Sequence, residues 1–323
     1  MKNSSFAVRV CLGLSLVAAS TLALGNTVKI TPLGSHDGEF CRFDRALLIE
    51  DPDGTRLLYD AGRTVAGADD PHLGKIDALL VSHMHGDHVG DRHLPTPGAG
   101  ECGKPDVSVM AVPNTNSVNI AAAKKAKIIT GSEMPKFFGA KLKAVGANPK
   151  DSQLVRFGAS RKLNGVTITT VPATHSNGIN SAFIGGKLAE LLDAAGVTAY
   201  AGPPTGYVVT FSNGLVAYLS GDTGMTAEQK ALVGGYYQAK LAVMNIGDTY
   251  TTGPKEAAYV VNEMIKPASV IASHANEVAT KAGKVVAGTR TDTFMKAAEM
   301  PVYAPLSGRT MEFDAKGVCA SGC

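Results

Sequence analysis

Asp77-Ala78-Leu79-Leu80-Val81-Ser82-His83-Met84-His85-Gly86-Asp87-His88-Val89-Gly90-Asp91 is the stretch on which the reading of this chain turns. An apolar run of β type ends at Ser82, and His83, His85, Asp87 and His88 follow within six residues. In an extended segment alternate side chains share a face, so His83 and His85 project to one side. Gly86 permits a sharp turn, which lets Asp87 and His88 point at a neighbouring position. Imidazole and carboxylate are suitable ligands for zinc and other divalent first-row metals. A solvated loop with incidental histidines gives no reason for this spacing directly behind a strand.

The rest of the chain converges on the same chemistry. Of eight histidines, three lie in this stretch. Two more end apolar runs: His175 in Thr170-Val171-Pro172-Ala173-Thr174-His175 and His274 in Val270-Ile271-Ala272-Ser273-His274. A third run, from Val216, ends in Ser220-Gly221-Asp222-Thr223-Gly224. Ligands at the carboxyl ends of separate strands are how an α/β scaffold gathers a site from distant sequence. Asp248, Tyr250 and Thr251 lie at the end of the strand that precedes His274, in position to touch substrate or buttress that histidine. Thr223 is placed to support Asp222 as a donor. His72 and His93 sit in loop-like sequence, and Asp91 reads as a cap or supporting group.

The order His-x-His-x-Asp-His, a later His, an Asp in Ser220-Gly221-Asp222-Thr223-Gly224 and a final His resembles the ligand order of the metallo-β-lactamase superfamily. The resemblance covers residues 28–276. It is closer to metal-dependent hydrolases related to L-ascorbate-6-phosphate lactonase, through Gly34-Ser35-His36, Gly206-Tyr207-Val208-Val209-Thr210-Phe211 and Asn245-Ile246-Gly247-Asp248-Thr249-Tyr250-Thr251-Thr252-Gly253. The resemblance implies an αββα sandwich. It also implies two divalent ions, zinc first with manganese and iron compatible: one on His83, His85 and His175, the other on Asp87, His88 and His274, with Asp222 bridging. His36 stands where related proteins place a histidine near the site. The bridging Asp222 sets the chain apart from true β-lactamases, which generally lack it, so antibiotics are not the implied substrate.

Two metals about 3.5–4 Å apart lower the pKa of a bridging water and supply hydroxide, while one polarises the substrate oxygen. Asp87 is the candidate to orient that hydroxide and move its proton to the leaving group, or else serves only as a ligand. The expected function is an exported hydrolase of an ester, lactone or phosphoester in a small molecule. A phosphodiesterase for a small cyclic or diester phosphate is the alternative, and a non-catalytic metal- or ligand-binding envelope protein is the rival. No Arg or Lys cluster flanks the ligand motifs, which slightly favours an uncharged leaving group or a small phosphate.

The surrounding sequence sets the compartment and the class. Residues 1–25 read as a secretory signal: Lys2 and Arg9, then an apolar run over residues 10–24, with no acidic residue. Cleavage before Asn26 is preferred, with a cut after Ser20 as the runner-up. The run is short of the ~20 residues that span a bilayer, so no stable membrane anchor is expected after cleavage. Cleavage leaves 29 basic and 28 acidic residues, and the formal charge falls from +3 to +1. A near-neutral protein gives no reason to expect nucleic acid. The location expected is periplasmic or secreted. There the remaining Cys41, Cys102, Cys319 and Cys323 suggest two disulfides. Four cysteines permit three pairings; a local clasp of Cys319 with Cys323 would leave Cys41 with Cys102.

Strand-like runs occupy residues 28–32, 46–50, 56–59, 78–82, 107–112, 166–171, 207–211, 216–220, 241–245 and 269–272. Helical patterns occupy 117–127, 132–144, 186–195, 227–232, 254–264 and 292–299. Asp51-Pro52-Asp53-Gly54 reads as a hairpin turn. Early hairpins followed by alternating strands and helices indicate an α/β sandwich. One domain over residues 26–323 is expected, with a helical insertion near 178–204.

Overall fold

Side-chain alternation shows how the apolar runs become sheets buried on both faces. Leu47 and Ile49 enter the central core while Leu48 enters an outer one, and Leu57 and Leu58 divide in the same way. The computed structural model describes residues 26–323, so the expected signal, residues 1–25, lies outside the described residues. The chain first lays down β1 (Val28–Pro32), β2 (Leu47–Glu50), β3 (Arg56–Tyr59), β4 (Ala78–Leu80), β5 (Lys127–Thr130) and β6 (Ser152–Leu154). A second sheet follows: β7 (Ser160–Leu163), β8 (Val166–Pro172), β9 (Thr205–Thr210), β10 (Val216–Leu219), β11 (Leu241–Asn245), β12 (Ser269–Ser273) and β13 (Val302–Tyr303). The chain then returns to the first sheet with β14 (Met311–Phe313) and β15 (Cys319–Ser321).

The first sheet runs β6-β5-β4-β3-β2-β1-β14-β15 and the second β7-β8-β9-β10-β11-β12-β13. Their inner faces share one core, in which Ile30, Ile49, Leu57 and Leu80 belong with Tyr207, Leu219, Val243 and Ile271. Each fully buried side chain of this size contributes about 1.5–3 kcal/mol. Tyr207 adds a polar tie across the layers, its one hydroxyl proton shared between the carbonyls of Val81 (2.7 Å) and Ile129 (3.0 Å).

Helices cover both outer faces. After the one-turn α1 (Gly86–Val89), α2 (Asn116–Lys124) and α3 (Met134–Ala144) place Val118, Phe138 and Leu142 against the first sheet. Between β8 and β9 come α4 (Ser181–Ile184) and α5 (Gly186–Ala195), framed by the paired short strands Gly178–Ile179 and Ala199–Tyr200. Phe183 of α4 is buried, whereas α5 has no buried residue. On the second sheet, α6 (Pro254–Tyr259) and α7 (Arg290–Ala297) contribute Ala257 and Phe294. The result is the αββα sandwich.

Several sequence expectations change in detail. The helix expected over 117–127 stops at Lys124, because Lys125 turns into the left-handed region (φ 54°) and Lys127–Thr130 becomes β5, a parallel strand second from the sheet's edge. The run 107–112 yields only Val109–Met110, an exposed pair against Arg92–His93. Val109 and Met110 find no face to bury. The helix expected over 254–264 widens after Tyr259 into a π-type turn, Val260–Ile265, and that expected over 227–232 is a π-type segment, Gln229–Tyr236. The strands β6, β7, β13, β14 and β15 were not anticipated: β6, β7 and β15 are mostly polar or exposed, and β13 and β14 are only two and three residues long. Among the described residues no helix is long and apolar enough to cross a membrane.

Both cysteine pairs are closed, Cys41 to Cys102 and Cys319 to Cys323. The first spans 61 residues, a loop whose closure contributes roughly 4 kcal/mol in the chain-entropy account.

Candidate metal centre

Strand β4 runs parallel between β3 and β5, and the chain beyond its end carries His83 into the gap between the sheets. His83 is fully buried, and the His85 ring lies 4.5 Å from it, the shared side expected of alternate residues. The next turn is α1, which presents Asp87 and His88 and stops at Gly90 in the left-handed region (φ 77°). A side chain at Gly90 would collide with Asn116 and the Gly62 carbonyl, so this tight stop requires glycine. The ends of β8, β10 and β12 bring His175, Asp222 and His274 to the same place. His274 adopts φ 51° and Asp60, just beyond β3, φ 41°, conformations that side-chain-bearing residues hold only where the surroundings enforce them.

Asp222 lies between the imidazoles. Its Oδ2 is 3.1 Å from His274 Nε2, 3.6 Å from His175 Nε2 and 3.9 Å from His83 Nε2, and its Oδ1 is 3.3 Å from His88 Nε2. Asp87 Oδ2 stands 3.4 Å from His274 Nε2 and 3.7 Å from His88 Nε2. Three groups of donor atoms gather within 4.8 Å: His83, His85 and His175; His83, His88 and Asp222; Asp87, His88 and His274. All seven residues expected to ligate therefore meet at one spot.

The residues fit divalent cations. His83 Nε2, His88 Nε2 and Asp222 Oδ1 are buried without a hydrogen-bond partner, although burying polar atoms unpaired is costly. Their other atoms are engaged. Asp60 accepts from the Ser82 backbone N–H (2.8 Å), from Ser82 Oγ (2.7 Å) and from His88 Nδ1 (2.8 Å). Ser82 Oγ, having donated to Asp60, accepts from His83 Nδ1 at 3.0 Å. Both imidazoles are thereby turned with their Nε2 atoms inward, the orienting role that outer partners play around metals. Asp60 and Ser82 escaped the sequence reading. Their signal was a second strand end, Tyr59-Asp60-Ala61-Gly62, which carries a carboxylate ahead of a glycine.

Electrostatics divide the site. Burial, reinforced by neighbouring imidazoles, lowers His83, His85 and His175, which keeps them in the neutral form that ligates metal. Burial alone would raise Asp87 and Asp222, but neighbouring basic groups outweigh it. Arg45 and His88 hold Asp87 well below the usual carboxylate range, and His88 and His274 do the same for Asp222. His88 moves the other way: burial opposes its charge, yet Asp222, Asp60 and Asp87 push it from 6.5 up to about 10.

These shifts set the pH response of the metal-free protein. The contribution of protonated His88 is complete below pH 6.5 and is lost as pH rises towards about 10. That of His83, His85 and His175 is complete above 6.5 and is lost as pH falls through their lowered values. After chelation, the unfolding temperature should therefore peak near neutrality and fall on both sides, and His88→Gln should flatten the alkaline limb. Thermal melts from about pH 5 to 10 check this, and a melting point that climbs steadily to pH 10 would count against it.

Above the donors lies an open cleft of about 680 Å³. Arg42, Arg45, Arg63 and Arg290 all line it, which overturns the expectation of no cationic cluster near the ligands. They come from the loop after β1, the turn after β3 and the start of α7, none of which flanks a ligand motif. Arg45 is buried; its guanidinium is 2.6 Å from Asp87 Oδ2, 2.9 Å from His274 Nε2 and 3.0 Å from Asn276 Oδ1. Asp248 and Tyr250 line the cleft as expected, whereas Thr251 does not: its hydroxyl accepts from the Gly247 N–H. Thr223 makes no hydrogen bond to Asp222; it accepts from the Thr174 N–H, so it steadies the loop that carries His175. His36 lies away from the cleft, bonded to Ser35 and the Gly100 carbonyl. Asp91 is clamped by two hydrogen bonds from Arg63, a supporting position. His72 pairs with Asp70 and His93 with the Leu94 carbonyl.

Comparison with known proteins extends the picture. A metal-dependent hydrolase of Cupriavidus taiwanensis is 30% identical over 209 residues, which cover 63% of this chain and 60% of that protein. One of Methanopyrus kandleri is 30% identical over 225 residues, covering 69% of this chain and 77% of the relative. The match thus spans about 60% of the Cupriavidus taiwanensis protein's length. Among solved structures, a novel metallo hydrolase from Ignicoccus hospitalis superposes with a TM-score of 0.58 at 22% identity, covering 89% of this chain and 99% of that one. The metallo-beta-lactamase fold protein YhfI from Bacillus subtilis reaches 0.55 at 14% identity, covering 88% and 99%. At these identities the likeness is one of fold. The model of the beta-lactamase superfamily domain matches residues 55–275, a span that contains all seven converging donors, and the chain belongs to that superfamily.

Proposed function

We propose that this chain is an exported metal-dependent hydrolase that binds two divalent ions, zinc first, and cleaves an ester, lactone or phosphoester of a small molecule. The observation that carries the reading is the convergence of seven donors, several with unpaired buried atoms, on the floor of an open cleft. His83, His85 and His175 would hold one ion, Asp87, His88 and His274 the other, and Asp222 both. Ions so held supply Lewis acidity towards a substrate oxygen and make water a nucleophile near neutral pH.

The chain's own residues do the rest. Asp222 is nearly enclosed, with 3% of its side chain exposed, whereas Asp87 keeps 23% and faces the cleft. Asp87 is therefore the carboxylate able to orient a water and pass its proton to a leaving group. Arg45 fixes one Asp87 oxygen, which keeps the carboxylate charged and aimed. The openness of the cleft favours catalysis over a binding protein, which needs its coordination closed. Export rests on the basic start and apolar run of residues 1–25 together with two disulfides, which persist in oxidising compartments.

The test pairs elemental analysis with a screen of chromogenic carboxylester, lactone, phosphodiester and β-lactam substrates, with and without a chelator. The expected result is about two metals per chain and chelator-sensitive turnover of an ester, lactone or phosphoester. Protein purified without any bound metal, and inert after metal addition, would overturn the reading.

A further inference from the structure

The loop of residues 41–45 is fastened along its whole length. Cys41 is cross-linked to Cys102, and the Arg42 backbone N–H donates to the Cys102 carbonyl at 3.2 Å. The buried Asp44 carboxylate accepts from the backbone N–H groups of Ser35 (2.8 Å) and Cys41 (2.7 Å). It also packs on Gly34, where any side chain would collide with it. A short, pinned segment thus delivers Arg42, Phe43 and Arg45 to the cleft together. The guanidiniums of Arg42 and Arg63 lie over the Phe43 ring, 5.6 and 5.8 Å from its centre. An aromatic face holds such groups by cation–π attraction without using their N–H donors.

The four cleft arginines are differently engaged. Arg45 belongs to Asp87, Arg63 is doubly bonded to Asp91, and Arg290 stands 3.8 Å from Glu277. Arg42 has no carboxylate partner among the described residues. Facing these four positive groups, the cleft lining offers Asp87, Asp222 and Asp248, the first two of which sit among the metal donors. Divalent ions would offset those two, and Arg42, with no carboxylate beside it, would leave the wall net positive. Such a lining concentrates anions and repels cations.

Resting on the hydrolase reading, we propose that the cleft selects substrates that carry an oxyanion, carboxylate or phosphate, apart from the bond that is cleaved. Arg42 is the principal anchor for that group, held in place by Phe43 and the Cys41–Cys102 bridge. Arg63 and Arg290 extend the same wall. A charge-assisted hydrogen bond of this kind discriminates by about 10- to 100-fold.

The test compares mono-p-nitrophenyl glutarate with p-nitrophenyl pentanoate, acyl chains of one length that differ in a terminal carboxylate. The metal-loaded protein should prefer the glutarate by about 10-fold or more in kcat/KM. Arg42→Ala should bring that ratio towards unity, and Cys41→Ser with Cys102→Ser should move it the same way. Calorimetry with glutarate and with methyl phosphate, on the metal-loaded protein and on Arg42→Ala, tells which oxyanion is preferred. No turnover of either ester combined with Arg42-dependent binding would uphold the anion site and remove carboxylesters from the proposed substrates. Turnover with no preference for the anion, and binding that Arg42→Ala leaves unaltered, would overturn the proposal.

Discussion

Asp222→Ala is expected to lower metal-dependent hydrolysis by about a thousandfold or more, equivalent to about 4 kcal/mol of transition-state stabilisation. The reason is positional. Asp222 is the residue whose two oxygens face imidazoles of both donor groups, His83 and His175 on one side, His88 and His274 on the other. Without it, Asp87, beside His88 and His274 only, is the one carboxylate left among the donors to offset the cations they would gather. Metal content should fall with activity, and Asp222→Asn, which keeps the shape and loses the charge, should fall nearly as far. Asp248→Ala is the comparison, since that carboxylate lines the same cleft but accepts only from the Thr249 N–H. Elemental analysis and initial rates on the three variants decide the matter. Retention of a tenth or more of the wild-type rate by Asp222→Ala would remove Asp222 from the centre of the site.

The donor set was legible because its spacing is dictated by local geometry. His83 and His85 share a side through strand alternation, and α1 turns Asp87 and His88 towards a second position. His175, Asp222 and His274 were legible as polar ends of apolar runs, a pattern that needs no knowledge of where the strands lie in space. The two-layer core was legible for a related reason: runs such as Leu47-Leu48-Ile49 are apolar on both faces, which only a sheet covered on both sides requires. Strand β5 was missed because its first residue, Lys127, falls in the lysine-rich helical pattern 117–127, and Ile128-Ile129-Thr130 alone, ahead of Gly131, is too short a run to read as a strand.

The cleft walls were not legible. Arg42, Arg63 and Arg290 come from three segments that no periodicity links, and only the fold brings them to one rim. Scanning for basic residues beside the ligand motifs therefore gave the opposite expectation. His36 and Thr223 show the converse error. Each stands next to a motif, yet His36 turns to the Gly100 carbonyl and Thr223 to the loop before His175. Adjacency along the chain fixes where a backbone goes; the direction of a polar side chain is decided by whichever buried partner lacks a hydrogen bond.

Asp60 is the strongest instance of that rule, and Asp60→Ala should damage both fold and metal binding. The carboxylate is 1% exposed and accepts three hydrogen bonds, two from Ser82 and one from His88 Nδ1. Its removal leaves the Ser82 N–H buried without an acceptor, at a cost of about 1–3 kcal/mol, and leaves His88 Nδ1 with only the Ser82 hydroxyl, 3.3 Å away. It also releases His88 from the orientation that aims Nε2 at Asp222, and losing an outer partner of this kind lowers metal affinity about 10- to 100-fold. The two effects separate experimentally. Thermal unfolding of the chelated protein reads the stability loss, and competition with a chromogenic chelator reads metal affinity. Asp60→Asn, nearly equal in volume, spares much of the packing but cannot accept from both Ser82 and His88 as a carboxylate does, so its affinity should drop more than its melting point. Wild-type metal affinity in both variants would mean that His88 holds its orientation by packing alone. The chain of bonds from Ser82 through Asp60 to His88 would then be a feature of the fold and not of the centre.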